Sequence, residues 1–418
     1  MRTYTYEKSR ALYERASRVI PGGIYGHASP RFLHPDYASD YPFYAVRGEG
    51  ARFRDPDNNE FIDYMCAMGP MVVGYNHPRI TEAAVNQLKQ CTVLSCASPL
   101  MIDLAEQLVD LVSIADWALF CKNGADVTAL AALVARKATG RQKLILINGC
   151  YHGSAPWMQP PGMPGVLDDD HRHIVYVDWN DLEGLTQIVS DYSGNIAGFM
   201  ASPYYMPTYK DNELPAEGYW QSVEQICRKE GIVLIVDDVR CGFRLNLAGS
   251  NEYFGFKPDL ICFSKAIANG YPLSALVGTD ALKEDISSVM AMGTFWYEAS
   301  AIAASLATLA ELKKSNAATT VLGKGKKLID AMKAIAISHG YPLKITGAPS
   351  MPFVRIDGDD DLSLSSAWCG ECTKRGTFFV PFHNWFLSVA HTDEDISRTL
   401  EIMNDAFLAI KSKQKVNR

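Results

Sequence analysis

The sequence predicts an α/β fold, a mostly parallel sheet covered by helices on both faces, and three observations carry that prediction. From about residue 84 to residue 300, short apolar runs rich in β-formers alternate with longer amphipathic stretches. Several of these runs, KLILING and IVLIVDDV among them, are apolar without strict period-two alternation, as expected of strands buried on both faces. The two flanks read differently and predict a second, smaller unit of mixed α+β character.

The elements follow in chain order. Residues 1 to about 75 offer a helix, the Pro/Gly-rich loop PGGIYGHASPRF, and a hairpin around ARFRDPDNNEFIDY, whose Asp-Pro-Asp-Asn cluster has turn chemistry. The central stretch alternates strand and helix through WALFCKNG, TALAALVARKATG, KLILING, HIVYVDW, GFMASP, VEQICRKEG and IVLIVDDV. After about residue 310, helices alternate with short strands such as MPFVRI and FLSVAH, and a helix with a Lys-rich tail closes the chain. The expected organisation is a large domain over residues 76–308 and a smaller domain built from residues 1–75 and 309–418.

Composition narrows the function classes. The chain has 418 residues, 48% hydrophobic and 21% charged, as in ordinary folded, water-soluble proteins. Its net charge of -7, from 40 basic and 47 acidic residues, supplies no field for gathering phosphate backbones, so nucleic acid is not an expected partner. No stretch reaches the ~18 apolar residues needed to span a bilayer, and the charged N-terminal segment lacks the apolar core of a secretory signal. No membrane contact and a cytoplasmic location are expected. The ten cysteines are scattered, mostly in apolar runs, and read as reduced thiols. Cys369 and Cys372 form a CxxC, but no second pair completes a metal shell, so no metal is expected.

Four places combine unusual residues with the carboxyl ends of predicted strands, where open α/β sheets collect ligands. In WALFCKNGADVTAL, a strand turns through Gly124 into a helix, so the amides of Gly124 and Ala125 would point outward at a helix N-terminus and suit a single phosphate group. Neither GxGxxG nor GxxxxGK[ST] is present, which disfavours a dinucleotide or a triphosphate. After KLILI comes Tyr151-His152-Gly153, an aromatic on a flexible turn that could cover a flat ring. IVLIVDDVRCGFR sets Asp237 and Asp238 at the end of a hydrophobic run, and a buried carboxylate there needs a partner. A protonated ring nitrogen, or an arginine such as Arg240 or Arg244, is expected to supply it. Finally, LICFSKAI places Lys265 directly after an apolar strand, where lost hydration lowers an amine's pKa and frees it to attack a carbonyl. Each feature has a bland reading alone; together they are the parts that hold pyridoxal phosphate (PLP).

The order of these motifs resembles the class III (fold-type I) PLP-dependent aminotransferases, particularly the glutamate-1-semialdehyde aminomutase-like branch. The resemblance runs from VIPGG through VRGEGARFRDPDNNEFIDYMCAMGP, NGADVT, YHG, VDDVRCGFR, SKAIANGYPLSALVG and MGTFWY to VAHTDEDI, covering nearly the whole chain. It implies a seven-stranded-type sheet domain, with Lys265 carrying the cofactor as a Schiff base and serving as general acid/base. Asp237 would hold the ring nitrogen, Tyr151 would stack on the ring with His152 beside it, and Gly124 and Ala125 would bind the phosphate. Thr294 in MGTFWY would reach the partner subunit's phosphate, which implies a homodimer with shared active sites. The expected partners are otherwise a small-molecule amino donor and acceptor.

The departures carry information too. Where the family has Ser-Gly-Thr in the phosphate turn, this chain has Asn123-Gly124-Ala125, losing a hydroxyl but keeping the backbone donors. Asp238 replaces a longer acid, and His383 falls about where the aminomutases carry a glutamate that governs substrate dwell and access. Substrate contacts are expected from Arg31 and His27 in the N-terminal loop, from Met68 where an aromatic often lines the pocket, and from an aromatic wall of Trp296, Tyr297, His383 and Trp385. The leading expectation is amino transfer between an amino acid donor and a keto or aldehyde acceptor. An intramolecular PLP enzyme, an aminomutase or epimerase, is the alternative, and a catalytically silent scaffold is a third reading.

Overall fold

A computed structural model describes residues 3–416, and the chain divides into two compact units. Unit 1 comprises the chain up to His77, the short segment Thr208–Asn212, and everything from Thr320 onward. Unit 2 comprises Pro78–Pro207 and Glu213–Thr319.

Unit 1 holds strands β1 (Arg47–Glu49), β2 (Arg52–Arg54) and β3 (Glu60–Asp63), and unit 2 holds β4 (Trp117–Cys121), β5 (Lys143–Ile147), β6 (Ile174–Val177), β7 (Ile196–Ala201), β8 (Val233–Asp237), β9 (Leu260–Phe263) and β10 (Ser274–Gly278). Strands β11 (Leu343–Thr346), β12 (Phe353–Ile356) and β13 (Thr377–Phe378) return to unit 1.

In unit 2 one seven-stranded sheet runs β4-β10-β9-β8-β7-β5-β6. The pairs β5–β6, β5–β7, β7–β8 and β8–β9 are parallel; β10 alone runs against its neighbours β4 and β9. Strands β7, β8, β9 and β10 are buried at every residue, which is why their sequences show no alternation. The helix Gly124–Thr139 presses Val127, Leu130, Ala131, Val134 and Ala135 into this core, each larger aliphatic contributing about 1.5–3 kcal/mol. It stops at Gly140, whose φ of 67° is the left-handed conformation a helix end favours in glycine. The missing Cβ of Gly198 on β7 matters equally, since it would lie 3.2 Å from the Ala135 side chain.

In unit 1, β1, β2 and β3 form an antiparallel meander, and β13 adds in parallel to β3, so chain segments more than 300 residues apart share a four-stranded sheet. The Asp-Pro-Asp-Asn turn does more than reverse the chain. Asp57 accepts the Lys8 and Ser9 amides at 2.9 and 3.0 Å, capping the helix Glu7–Ala16. Phe53 and Phe61 stack at 4.9 Å beneath the sheet. Cys369 and Cys372 lie fully buried on the helix Ser363–Thr373, where burial pushes both thiols well above their ordinary range.

One expected strand does not form. FLSVAH runs as coil into a turn closed by the His391 amide on the Ser388 carbonyl, and its amides go to different partners: Phe386 to the Tyr64 carbonyl, Leu387 to Ser350 and Val389 to Val72. With donors split between two neighbours, no ladder builds. Trp385 beside it is likewise no pocket wall. It is buried, stacks on Phe379 at 3.8 Å and donates its indole N–H to the Val380 carbonyl.

Candidate active site

Four loops at the carboxyl side of the unit 2 sheet carry the site. Asp237 is the last residue of β8, and Lys265 follows β9 after one serine. Tyr151 and His152 come four and five residues past the end of β5, and Gly124 opens the helix after β4.

Asp237 is buried, and His152 and Val239 supply hydrogen bonds to its carboxylate. Nδ1 of His152 donates to its Oδ2 at 2.7 Å, and the Val239 amide reaches its Oδ1 at 3.2 Å. Arg240 donates to the Met206 carbonyl at 3.0 Å. The His152 side chain is 1% exposed, and among the described residues its Nε2 has no hydrogen-bond partner. Asp238, one residue on, is also buried; it accepts the Ser250 hydroxyl at 2.6 Å and the Ser250 amide at 2.9 Å. Burial, aided by the Asp237 charge, raises its carboxyl to about 7 in spite of those bonds.

Lys265 has a backbone φ of 49°, a left-handed conformation that a side-chain-bearing residue adopts at a cost of order 1–3 kcal/mol. Lost hydration and then the Arg240 charge pull its ammonium down to about 7, with Asp237 pulling the other way. Near neutral pH a large share of this side chain is therefore free amine.

The phosphate-type turn is held from two sides. Ser274 of β10 donates to the Asn123 carbonyl at 2.8 Å, and the Asn123 amide donates to Asp126 at 2.8 Å. Thr128 ties the helix to the aromatic loop through a 2.7 Å bond to the His152 carbonyl. A Cβ on Gly124 would come within 3.0 Å of the Val239 side chain, and one on Gly153 within 2.8 Å of the Ala125 Cβ, so both glycines permit close approach of the segments around the turn. Tyr151 stays about half exposed beside this cluster.

The structure places the remaining expected residues each within its own unit. Thr294 is exposed in a loop of unit 2 beside Phe295, over whose ring the Lys122 ammonium lies at 5.5 Å. His27 and Met68 line a cavity within unit 1. Arg31 is exposed and stacks over Phe32 at 5.0 Å, and His383 is buried, donating Nδ1–H to the Asn384 carbonyl at 2.7 Å. Thr128, Ser274 and Ser250 escaped the sequence reading, because a hydroxyl that braces a loop from a distant strand or helix leaves no local signature.

These residues fit PLP. Helix N-terminal amides suit its phosphate, a braced buried carboxylate suits its ring nitrogen, and a largely deprotonated lysine suits its aldehyde. The buried, unpaired Nε2 behind Asp237 is the kind of atom that persists in ligand sites. A fold-type I sheet with this lysine and aspartate at its strand ends defines a PLP transferase.

Comparison with known proteins agrees. Residues 35–407 match the family Aminotransferase class-III, and the chain belongs to that family. It is 38% identical over 403 residues to the aminopentol aminotransferase of Sphingopyxis macrogoltabida, covering 96% of this chain and 94% of that protein. It is 30% identical over 434 residues to the glutamate-1-semialdehyde 2,1-aminomutase of Desulforamulus reducens, covering 97% and 98%. The solved FumI protein of Sphingopyxis sp. MTA144, in its PLP internal aldimine form, superposes with a TM-score of 0.94 at 38% identity over 98% of both chains.

Proposed function

We propose that this class III aminotransferase moves an amino group from an amino acid donor to a keto or aldehyde acceptor, with Lys265 and Asp237 as its catalytic residues. The observation that carries the assignment is the placement of Lys265 and of a buried, histidine-braced Asp237 at neighbouring strand ends of one sheet. When bound, PLP supplies an aldehyde that condenses with amines and a ring that takes up an electron pair. Lys265 Nζ holds the cofactor and then moves the proton from the substrate α-carbon, as an amine with a pKa near the working pH does best. Asp237 keeps the ring nitrogen protonated, and His152 fixes the carboxylate in place from behind. Gly124 and Ala125 orient the phosphate with their amides, and Tyr151 covers the ring.

The higher identity to an aminotransferase than to an aminomutase supports intermolecular transfer. His383, where the aminomutases carry a glutamate, supports it as well. We infer further a cytoplasmic homodimer, with Thr294 acting on the partner subunit's phosphate. The loop around Thr294 exposes Met290, Met292 and Phe295, apolar surface that a subunit interface would cover. The ten cysteines, all free, suit a reducing compartment.

The test is incubation of the PLP-loaded protein with single amino donors and no acceptor. Loss of the cofactor's visible band with appearance of a keto acid is expected. An amine isomer of the donor, formed without any keto product, would replace this reading with the intramolecular one.

A further inference from the structure

Thr128 sits one helical turn beyond Gly124, on the same face of the helix that opens with the Gly124 and Ala125 amides. A helical side chain leans toward the helix N-terminus, so the Thr128 hydroxyl lies over that first turn. The usual outlet for such a hydroxyl is the carbonyl four residues back, and the Gly124 carbonyl lies within reach at 3.1 Å. The shorter contact leaves the helix. At 2.7 Å the Thr128 hydroxyl donates to the backbone carbonyl of His152, with both residues buried. A hydroxyl has one proton to give, and the shorter bond claims it.

His152 is thereby held at two points with different consequences. Its carbonyl is fixed to the helix by Thr128, and its ring N–H is fixed to Asp237 at 2.7 Å. Among the described residues that carbonyl has no other hydrogen bond. Gly153 lets the loop come down onto the helix, since a Cβ there would lie 2.8 Å from the Ala125 Cβ. The phosphate-type turn has braces of its own, Ser274 on the Asn123 carbonyl and Asp126 on the Asn123 amide, both at 2.8 Å. Loss of the Thr128 hydroxyl therefore falls on the His152 side of the site and leaves the turn in place.

We propose that Thr128 is a positioning residue: its hydroxyl sets where the His152 ring stands and, through that ring, where Asp237 presents its carboxylate. The proposal rests on the reading of Asp237 as the partner of the PLP ring nitrogen. Thr128 is fully buried, and its effect on the reaction passes through His152.

The experiment compares PLP-loaded Thr128→Val, which keeps the shape and removes the hydroxyl, with Thr128→Ser, which restores it. Thr308→Val is the control, because Thr308 is as buried and its hydroxyl donates within its own helix, to the Ala304 carbonyl at 2.7 Å. A displaced Asp237 holds the ring nitrogen's proton less firmly; the ring then draws less charge from the Lys265 nitrogen, which keeps its own proton to higher pH. In Thr128→Val the titration of the cofactor's visible band should therefore move upward by about half a pH unit or more. Turnover, kcat, should fall about threefold to tenfold, as for the loss of one buried hydrogen bond, with the donor KM unchanged. Thr128→Ser should return both to parent values, and Thr308→Val should move neither. Thr128→Ala removes the same hydroxyl with a residue that favours the helix, and it carries the test if the valine variant does not fold. A band titration and kcat unchanged in Thr128→Val overturn the proposal even where the thermal midpoint falls, since a merely structural hydroxyl gives that result. So does a Thr128→Ser that leaves the defect in place, which would assign it to packing of the methyl group. Parent protein that takes up PLP yet forms no keto acid would strike the transamination reading alone, because the band titration reports on Thr128 without turnover.

Discussion

Two buried aspartates end two strands, Asp63 at the end of β3 in unit 1 and Asp237 at the end of β8 in unit 2. Both follow hydrophobic residues, and both accept a backbone amide from two residues ahead. Their surroundings separate them. Asp63 spends its oxygens on the Tyr75 hydroxyl and on the amides of the turn that follows, which makes it part of the scaffold. Asp237 is braced by His152 and electrically coupled to Lys265, a group that gives up its proton near neutrality. A strand-end carboxylate is therefore not a site by itself. What makes one is an ionisable neighbour that the fold leaves uncompensated.

That contrast is tested most severely at Lys265. Lys265→Ala should lower turnover about 10³-fold or more and abolish the cofactor's bound absorption band, because on the proposed assignment it removes both the anchoring amine and the proton carrier. Wild-type turnover in the variant would refute the assignment. The brace behind Asp237 should matter less. His152→Ala removes a hydrogen bond to a charged group, so kcat should fall about 10–100-fold while the KM of the donor changes little, since His152 lies behind the carboxylate. An equal loss in kcat and rise in KM would mean that His152 shapes substrate binding.

The same contrast shows what was legible in the sequence. The parallel core was, since strands such as β7 and β8 are buried along their whole length and read as continuous apolar runs. The residues gathered at the strand ends were too, because each lies within about five positions of the strand that places it. Partnerships across the chain were not. His152 and Asp237 are 85 residues apart, and nothing local says that the histidine faces the carboxylate. The antiparallel course of β10 depends on pairing with β4 and β9, and the failure of FLSVAH to form a strand depends on two neighbours dividing its amides. In unit 1 the left-handed turn, with φ of 47°, 55° and 66° at Cys66, Ala67 and Met68, was invisible because these are not residues that favour it; the Asp63 carboxylate that accepts the turn's amides is itself held by the Tyr75 hydroxyl, twelve positions on.

Asp238 sharpens the comparison from the side of pH. Burial raises its carboxyl to about 7, from the ordinary 3.8, so between those values the folded protein holds a proton that the unfolded chain has released. Stability from this group is full below about pH 4 and is lost as pH rises through 7. Asp238→Asn, whose amide can still meet the Ser250 hydroxyl and amide, should remove that slope. Urea midpoints of the two proteins should converge at low pH and favour the variant above 7. Parallel curves across the range would show that Asp238 stays ionised in the fold.

The smallest effect is expected at Ala67 in unit 1, where it isolates the backbone from every contact. Ala67 is exposed with φ of 55°, so its methyl group packs little while its Cβ opposes the left-handed path by about 1–2 kcal/mol. Glycine relieves that opposition but adds freedom to the unfolded chain worth about 0.4–1 kcal/mol. Ala67→Gly should therefore stabilise the protein by about 0.5 kcal/mol, read as a small rise in urea midpoint at unchanged m-value. Gly69→Ala should do the opposite, because φ of 108° disfavours alanine and its Cβ would lie 3.0 Å from the Phe386 ring. A destabilised Ala67→Gly would mean that the turn is not strained at this position, and that Asp63 clamps a conformation the chain already prefers.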